Sequence, residues 1–68
     1  MENRLDLHGV KHFDVDEMVE DFVLEKQPPL YIITGNSNIM KNKVIAILDS
    51  HNFKWMIMSN NLGEIIIL

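Results

Sequence analysis

Short strand-type segments alternate with two amphipathic helix-type segments along the whole chain. The strand-type segments are residues 4–7, 30–33, 53–58 and 64–68, and the helix-type segments separate the first three of them. Helix-linked parallel strands require right-handed crossovers, so strands that advance in one direction place both helices on one face of the sheet. A turn over residues 59–63 makes the last two strands an antiparallel pair. The order β-α-β-α-β-β therefore predicts a two-layer α/β domain with a four-stranded mixed sheet and both helices on one face.

Both helices have recognisable start signals. Asp14 is predicted as the N-cap of the first helix, and Glu17, three residues later, completes a capping box. The second helix is predicted over residues 38–50, with Ser37 or Asn38 as its cap. The first helix has its apolar side chains at the spacing of one helical face. They are Val15, Met18, Val19, Phe22 and Val23.

Composition predicts one small domain, residues 1–68, with an apolar core. Apolar residues make up 47% of the chain, and the absence of cysteine excludes disulfides and thiolate zinc sites. The longest apolar run, residues 44–48, is far shorter than a membrane helix, and the N-terminus is too polar for a signal peptide. We therefore expect a soluble cytoplasmic protein with no membrane partner.

The charge of the whole chain and the charge near two of its loops point in opposite directions. The formal net charge of −4 counts against broad nucleic-acid binding, which usually needs an excess of Lys and Arg. Six of the ten acidic residues, however, lie between Asp14 and Glu25. Three of the six basic residues, Lys11, Lys41 and Lys43, lie near the two loops that carry the candidate motifs.

The first motif is Leu-Asp-Leu-His-Gly at residues 5–9, where the first strand ends. Strand side chains alternate, so Asp6 and His8 point to the same side about 7 Å apart. A carboxylate that orients an imidazole is a usable acid–base pair, and Gly9 leaves room for a sharp turn or a ligand. A lone Asp-x-His is more often a solvated acid beside a surface histidine. His12, four residues further on, is either a second proton-transfer group or plain surface.

The second motif is Thr-Gly-Asn-Ser at residues 34–37, which ends the second strand and opens the second helix. Unpaired N–H groups and the helix dipole favour an anion there, and Gly35 lets a phosphate approach the backbone. Lys41 and Lys43 add positive charge early in the helix. A single glycine is weak as a phosphate loop, and an ordinary strand–helix turn is the plainer reading. The motif matches neither the Walker pattern nor the dinucleotide fingerprint.

Both motifs fall at the carboxyl ends of parallel strands, where open α/β sheets place their sites. At this point the chain resembles the Smr (small MutS-related) domain. That family has Leu-Asp-Leu-His-Gly after its first strand and Thr-Gly-x-Gly or His-Gly-x-Gly after its second. Residues 5–9 match the first motif in full, and residues 34–37 match the second except that Ser37 replaces glycine. Residues 63–68 are similar to the closing strand of the family.

The resemblance implies a fold like the C-terminal domain of the third bacterial translation initiation factor. It also implies nuclease activity, since family members nick DNA or cleave RNA. The residues carried over are Asp6 and His8 from the first motif and Thr34 and Gly35 from the second. Ser37 is a departure that alters the loop if the family glycine needs a positive φ, and the sequence leaves open whether it abolishes catalysis.

The residues at the two motifs suit two functions. The first is a small stand-alone endonuclease in which His8 transfers a proton, Asp6 orients it, and backbone groups at residues 35–38 hold the phosphate. Only one carboxylate is placed near the site, whereas two-metal sites need several. RNA cleavage by the 2′-hydroxyl is therefore favoured over DNA nicking; no cofactor is predicted, and a divalent metal stays open. The predicted nucleic-acid-binding residues are Gly9, Lys11, His12, Thr34, Gly35, Asn36, Ser37, Lys41 and Lys43.

The second function is a non-catalytic module that binds nucleic acid or the ribosome through the same residues. The acidic net charge and Ser37 favour it, whereas the intact Asp6-x-His8-Gly9 counts against it. The sequence also predicts a homodimer. Residues 30–33 and 65–68 are apolar on both faces of their strands, so the sheet face without helices presents an apolar patch unless the helices cover it.

Overall fold

The computed structural model describes residues 3–68. The strands are β1 (Arg4–Asp6), β2 (Leu30–Ile33), β3 (Trp55–Met56) and β4 (Glu64–Ile67), and the helices are α1 (His12–Glu25) and α2 (Asn38–Ser50). Over these residues no helix combines the length and apolarity needed to cross a membrane.

The four strands form one mixed sheet in the order β1-β2-β4-β3. β1 and β2 are parallel, and β4 is antiparallel to both of its neighbours. β1, β2 and β3 therefore run in one direction and advance in one direction across the sheet. α1 and α2 pack against each other, and their apolar faces share one core with the strands. The predicted two-layer α/β domain with both helices on one face is confirmed.

The core lies between the helices and one face of the sheet. In β2, Leu30 and Ile32 are fully buried, whereas Tyr31 and Ile33 are only half-buried. In β4, Ile65 and Ile67 are fully buried. Burying one such side chain contributes about 1.5–3 kcal/mol, so these positions fix the register of the central strands. The buried helix residues are Val15, Val19, Phe22, Val23, Met40, Val44, Ile47 and Leu48.

The sheet face opposite the helices, here called the open sheet face, carries the alternate strand residues. One row across the sheet runs from Arg4 through Tyr31 and Ile66 to Met56. A second row consists of Asp6, Ile33 and Glu64. The face is thus apolar in its centre, with charged residues on β1 and at the start of β4.

The start of α1 corrects the prediction from sequence. The helix begins at His12, with Lys11 in the N-cap position and no side-chain cap, so the predicted Asp14 cap and its capping box are wrong. The N–H of Val10 donates to the carbonyl of Leu7, and the N–H of Asp14 donates to the carbonyl of Lys11. The helix therefore starts three residues earlier than predicted and has Asp14 in its first turn, where its charge still suits the helix dipole.

The strand ends also differ from prediction. β3 pairs with β4 only at Trp55 and Met56, not over residues 53–58. The N–H of Asn61 donates to the carbonyl of Met58, so the turn opens before the predicted strand is complete. β1 and β4 are each one residue shorter than predicted. β2 and α2 have the predicted bounds, and Ser37 is the cap of α2.

Candidate functional site

Three chain segments meet where β1 and β2 end. They are the β1–α1 loop, the β2–α2 loop, and the turn before β4. The carbonyl oxygen of Gly63 accepts hydrogen bonds from the backbone N–H groups of Thr34 at 2.8 Å and Gly35 at 3.1 Å. The N–H of Leu7 donates to the carbonyl of Ile33 at 2.9 Å, which continues the β1–β2 ladder up to the first motif. The two motifs are therefore held at one edge of the sheet.

The Asp6 carboxylate accepts a hydrogen bond from the backbone of the first motif. Its Oδ1 accepts the backbone N–H of His8 at 2.9 Å, closing a short side-chain turn. Gly9 follows with φ of +81°, a left-handed conformation that glycine adopts without strain. The carboxylate thus fixes the path of the chain at His8. The hydrogen bond goes to the main chain of His8 and not to its ring.

The imidazole of His8 lies against the second motif. Its Cδ2 is 3.9 Å from the position that a Cβ would occupy on Gly35. Gly35 has φ of +67°, so the loop turns sharply beneath the ring. His8 itself is exposed. An exposed imidazole therefore lies beside the loop that the sequence predicts to bind phosphate.

The buried side chain of Thr34 stabilises the β2–α2 loop. Its side chain is buried, and its hydroxyl is within hydrogen-bond distance of the carbonyls of Gly35 at 3.1 Å and Gly63 at 3.3 Å. The N–H groups of Thr34 and Gly35 are also bound to Gly63. The backbone N–H groups of both residues thus hold the two loops together, and the phosphate-binding role predicted for Thr34 and Gly35 stays a prediction.

The backbone N–H groups that face outward are at the start of α2. Ser37 caps α2, with its Oγ accepting the N–H of Met40 at 3.1 Å, and its carbonyl accepts the N–H of Lys41 at 3.0 Å. The N–H groups of Asn38 and Ile39 precede this first helical hydrogen bond, so they point out of the helix end. Asn36 is exposed in the turn before the cap.

Ser37 does not distort the loop. Its φ is −76°, an extended conformation open to any residue, so this position does not need a glycine. Serine adds a side-chain cap that glycine lacks, a difference of roughly a few tenths of a kcal/mol at this position. The departure from the Smr pattern is therefore compatible with the backbone that the motif forms.

The basic residues differ in what they contact. The Nζ of Lys43 lies 3.7 Å from Oδ1 of Asp16, so it bridges α2 to α1. Lys41 is half-buried in the first turn of α2. Lys11 is exposed in the β1–α1 loop, with its Nζ 6.0 Å from the ring centroid of Phe13. His12 is exposed as the first residue of α1.

Sequence reasoning missed Gly63 as a site residue. A Cβ on Gly63 would lie 3.3 Å from both the Cα and the carbonyl oxygen of Gly35. The only signal in the sequence was its place at the end of a polar turn. Glu64, the next residue, was missed as well. It shares the second row of the open sheet face with Asp6, and its Oε2 lies 4.0 Å from the guanidinium of Arg4.

Across residues 3–68, no three His, Cys, Asp or Glu side chains are grouped so as to hold a metal ion. Comparison with known proteins found no matching family model, no matching curated protein and no matching solved structure. The Smr resemblance is thus carried by the two motifs, their spacing and the order of the elements.

Proposed function

We propose that this protein is a Smr-type endonuclease that cleaves RNA. The observation that carries the proposal is the position of the His8 imidazole, exposed and against Gly35 at the junction of three loops. Phosphodiester cleavage needs proton transfer beside a held phosphate. An imidazole serves for the transfer at neutral pH. The N–H groups of Asn38 and Ile39, with the ammonium group of Lys41, supply positive potential for the phosphate.

In the proposed reaction the 2′-hydroxyl of the RNA attacks the adjacent phosphorus. A bond forms from the 2′-oxygen to phosphorus, and the bond from phosphorus to the 5′-oxygen breaks. His8 takes the proton from the 2′-hydroxyl. The leaving 5′-oxygen needs a proton, and we assign its transfer to His12, the exposed first residue of α1. The products are a 2′,3′-cyclic phosphate and a 5′-hydroxyl.

The test is a cleavage assay on end-labelled single-stranded RNA and on supercoiled plasmid, with EDTA and with added Mg²⁺ or Mn²⁺. The proposal expects RNA cleavage in EDTA with cyclic-phosphate ends, and loss of that activity in His8→Ala. Plasmid nicking that requires metal would instead assign a metal-dependent DNase. Failure to cleave either substrate would reject the nuclease.

A binding module is the second candidate function, and the Asp6–His8 hydrogen bond favours it. The Asp6 carboxylate bonds to the backbone N–H of His8, so it stabilises a loop that would be equally useful for binding alone. RNA binding without cleavage by the wild-type protein would support this function. Both candidate functions act on RNA or the ribosome, so we propose a cytoplasmic location for either one.

We also propose that the open sheet face pairs two copies of the chain. Tyr31, Ile33 and Ile66 are half-buried at its centre, and Met56 is 40% exposed beside them. The face carries both signs of charge, since the Arg4 guanidinium lies 4.0 Å from the Glu64 carboxylate and Asp6 is on the same face. Burying the apolar centre then contributes at roughly 25 cal/mol per Å².

A further inference from the structure

The edge of the sheet that carries the candidate site also carries exposed apolar side chains. Within residues 3–68, seven large apolar side chains are exposed, and Phe13 is the most exposed of them at 78%. Four of the seven lie at the candidate site, either in the turn before β4 or in the first turns of the helices that follow the two motif loops. This set, here called the apolar rim, consists of Phe13, Ile39, Met58 and Leu62.

The topology puts the apolar rim on one edge. Phe13 and Ile39 are in the first turns of α1 and α2, and these helices start just beyond the carboxyl ends of β1 and β2. Met58 and Leu62 are in the turn between β3 and β4, and β3 runs parallel to β1 and β2. All four therefore lie at the same end of the sheet as the His8 imidazole.

The side chains around Phe13 indicate which kind of molecule the apolar rim binds. The Nζ of Lys11 lies 6.0 Å from the centroid of the Phe13 ring, and both side chains are exposed. An aromatic ring beside a cation suits a nucleotide, since a base stacks on the ring while its phosphate meets the ammonium group. Bases in a duplex are already stacked and cannot reach such a ring, whereas unpaired bases can.

We infer that the substrate is unpaired RNA and that a base flanking the cleaved phosphate stacks on Phe13. The inference rests on the proposed function and deepens it, because it names the strand form that the site accepts. Ile39, Met58 and Leu62 supply further apolar contact for the neighbouring nucleotides. Base stacking of this kind tolerates any base, so the expected selectivity is for single strands and not for sequence.

The test measures binding in a His8→Ala background, where the RNA is not cut. Fluorescence anisotropy follows a labelled 12-nucleotide RNA, the same RNA in a duplex, and an RNA with abasic sites along its length. Phe13→Ala should weaken binding of the single strand about 10-fold, given the usual effect of losing one stacked base. Phe13→Trp should restore the affinity. Leu24→Ala is the matched control, since Leu24 is 63% exposed at the other end of α1.

Three outcomes would overturn the inference. They are equal affinity for single strand and duplex, an equal loss in Phe13→Ala for normal and abasic RNA, and a Phe13→Ala variant that sediments differently but binds RNA normally. The third outcome would indicate that the apolar rim contacts another protein chain.

These outcomes are separate from the nuclease proposal. If the wild-type protein cuts RNA and Phe13→Ala binds RNA normally, only the stacking inference fails. If Phe13→Ala loses single-strand binding and neither protein cuts RNA, only the nuclease proposal fails.

Discussion

A Cβ placed on Gly63 would lie 3.3 Å from the Cα of Gly35, although the two glycines are far apart in the sequence. The backbones touch because the carbonyl of Gly63 accepts N–H groups from both Thr34 and Gly35. This contact fixes the loop on which the His8 ring rests. We therefore expect Gly63→Ala to lower the free energy of unfolding by about 1–3 kcal/mol, as overpacking does, measured by urea denaturation.

Gly9 is the matched control for Gly63. Its φ is +81°, yet within residues 3–68 no heavy atom beyond its two chain neighbours lies within 4 Å of the place that its Cβ would take. Alanine there should cost backbone strain alone, about 1–2 kcal/mol, and asparagine should cost less, because it tolerates the left-handed conformation. At Gly63 asparagine should cost at least as much as alanine. The reverse order at either glycine would contradict this assignment of steric crowding and strain.

His8→Ala is expected to abolish RNA cleavage and to leave stability almost unchanged, because the side chain is exposed and outside the core. The measurements are the cleavage rate and the urea midpoint. His51→Ala is the control. Its imidazole contacts Glu20 at 3.0 Å at the far end of α2, a partly exposed pair worth at most about 1 kcal/mol. Equal cleavage rates for the wild type and His8→Ala would remove His8 from the mechanism.

Lys41 and Lys43 should differ in their effect on RNA binding. Lys43 is bound to Asp16, whereas Lys41 lies in the first turn of α2 beside the outward N–H groups. Lys41→Ala should flatten the slope of log affinity against log salt by about 0.7 to 0.9, which is one phosphate contact. Lys43→Ala should change the slope less. A larger change in Lys43→Ala would place the phosphate path along the α1–α2 side.

Self-association through the open sheet face is tested by sedimentation at tens of micromolar. The wild type should sediment as a dimer, and Ile66→Lys should sediment as a monomer, because a charge in the apolar centre opposes burial. Leu24→Lys, a charge added on exposed α1, should leave the dimer intact. Circular dichroism checks that both variants fold. A wild-type species of 7.9 kDa, the mass of one chain, would rule out the dimer.

Local pattern was enough to predict most of the elements. The limits of β2 and α2 follow from a short apolar run and from a periodic stripe after Ser37, both of which depend on near neighbours only. The Asp14 cap failed for a local reason too. Hydrogen bonds in the β1–α1 loop closed the helix earlier, and the sequence has no signal for which of two adjacent turns will close first.

The sequence by itself determined the two-layer fold and the edge where the two motifs lie, because strand and helix periodicity and the handedness of crossovers depend on residue order. Only the tertiary structure decided how the site is built. Because β4 lies between β2 and β3, Gly63 is beside Gly35. The Thr34 hydroxyl therefore lies 3.3 Å from the carbonyl of Gly63, a residue 29 positions away in the sequence. The N–H groups that face outward at this edge are those of Asn38 and Ile39. Such contacts depend on packing between distant segments, which no local pattern encodes.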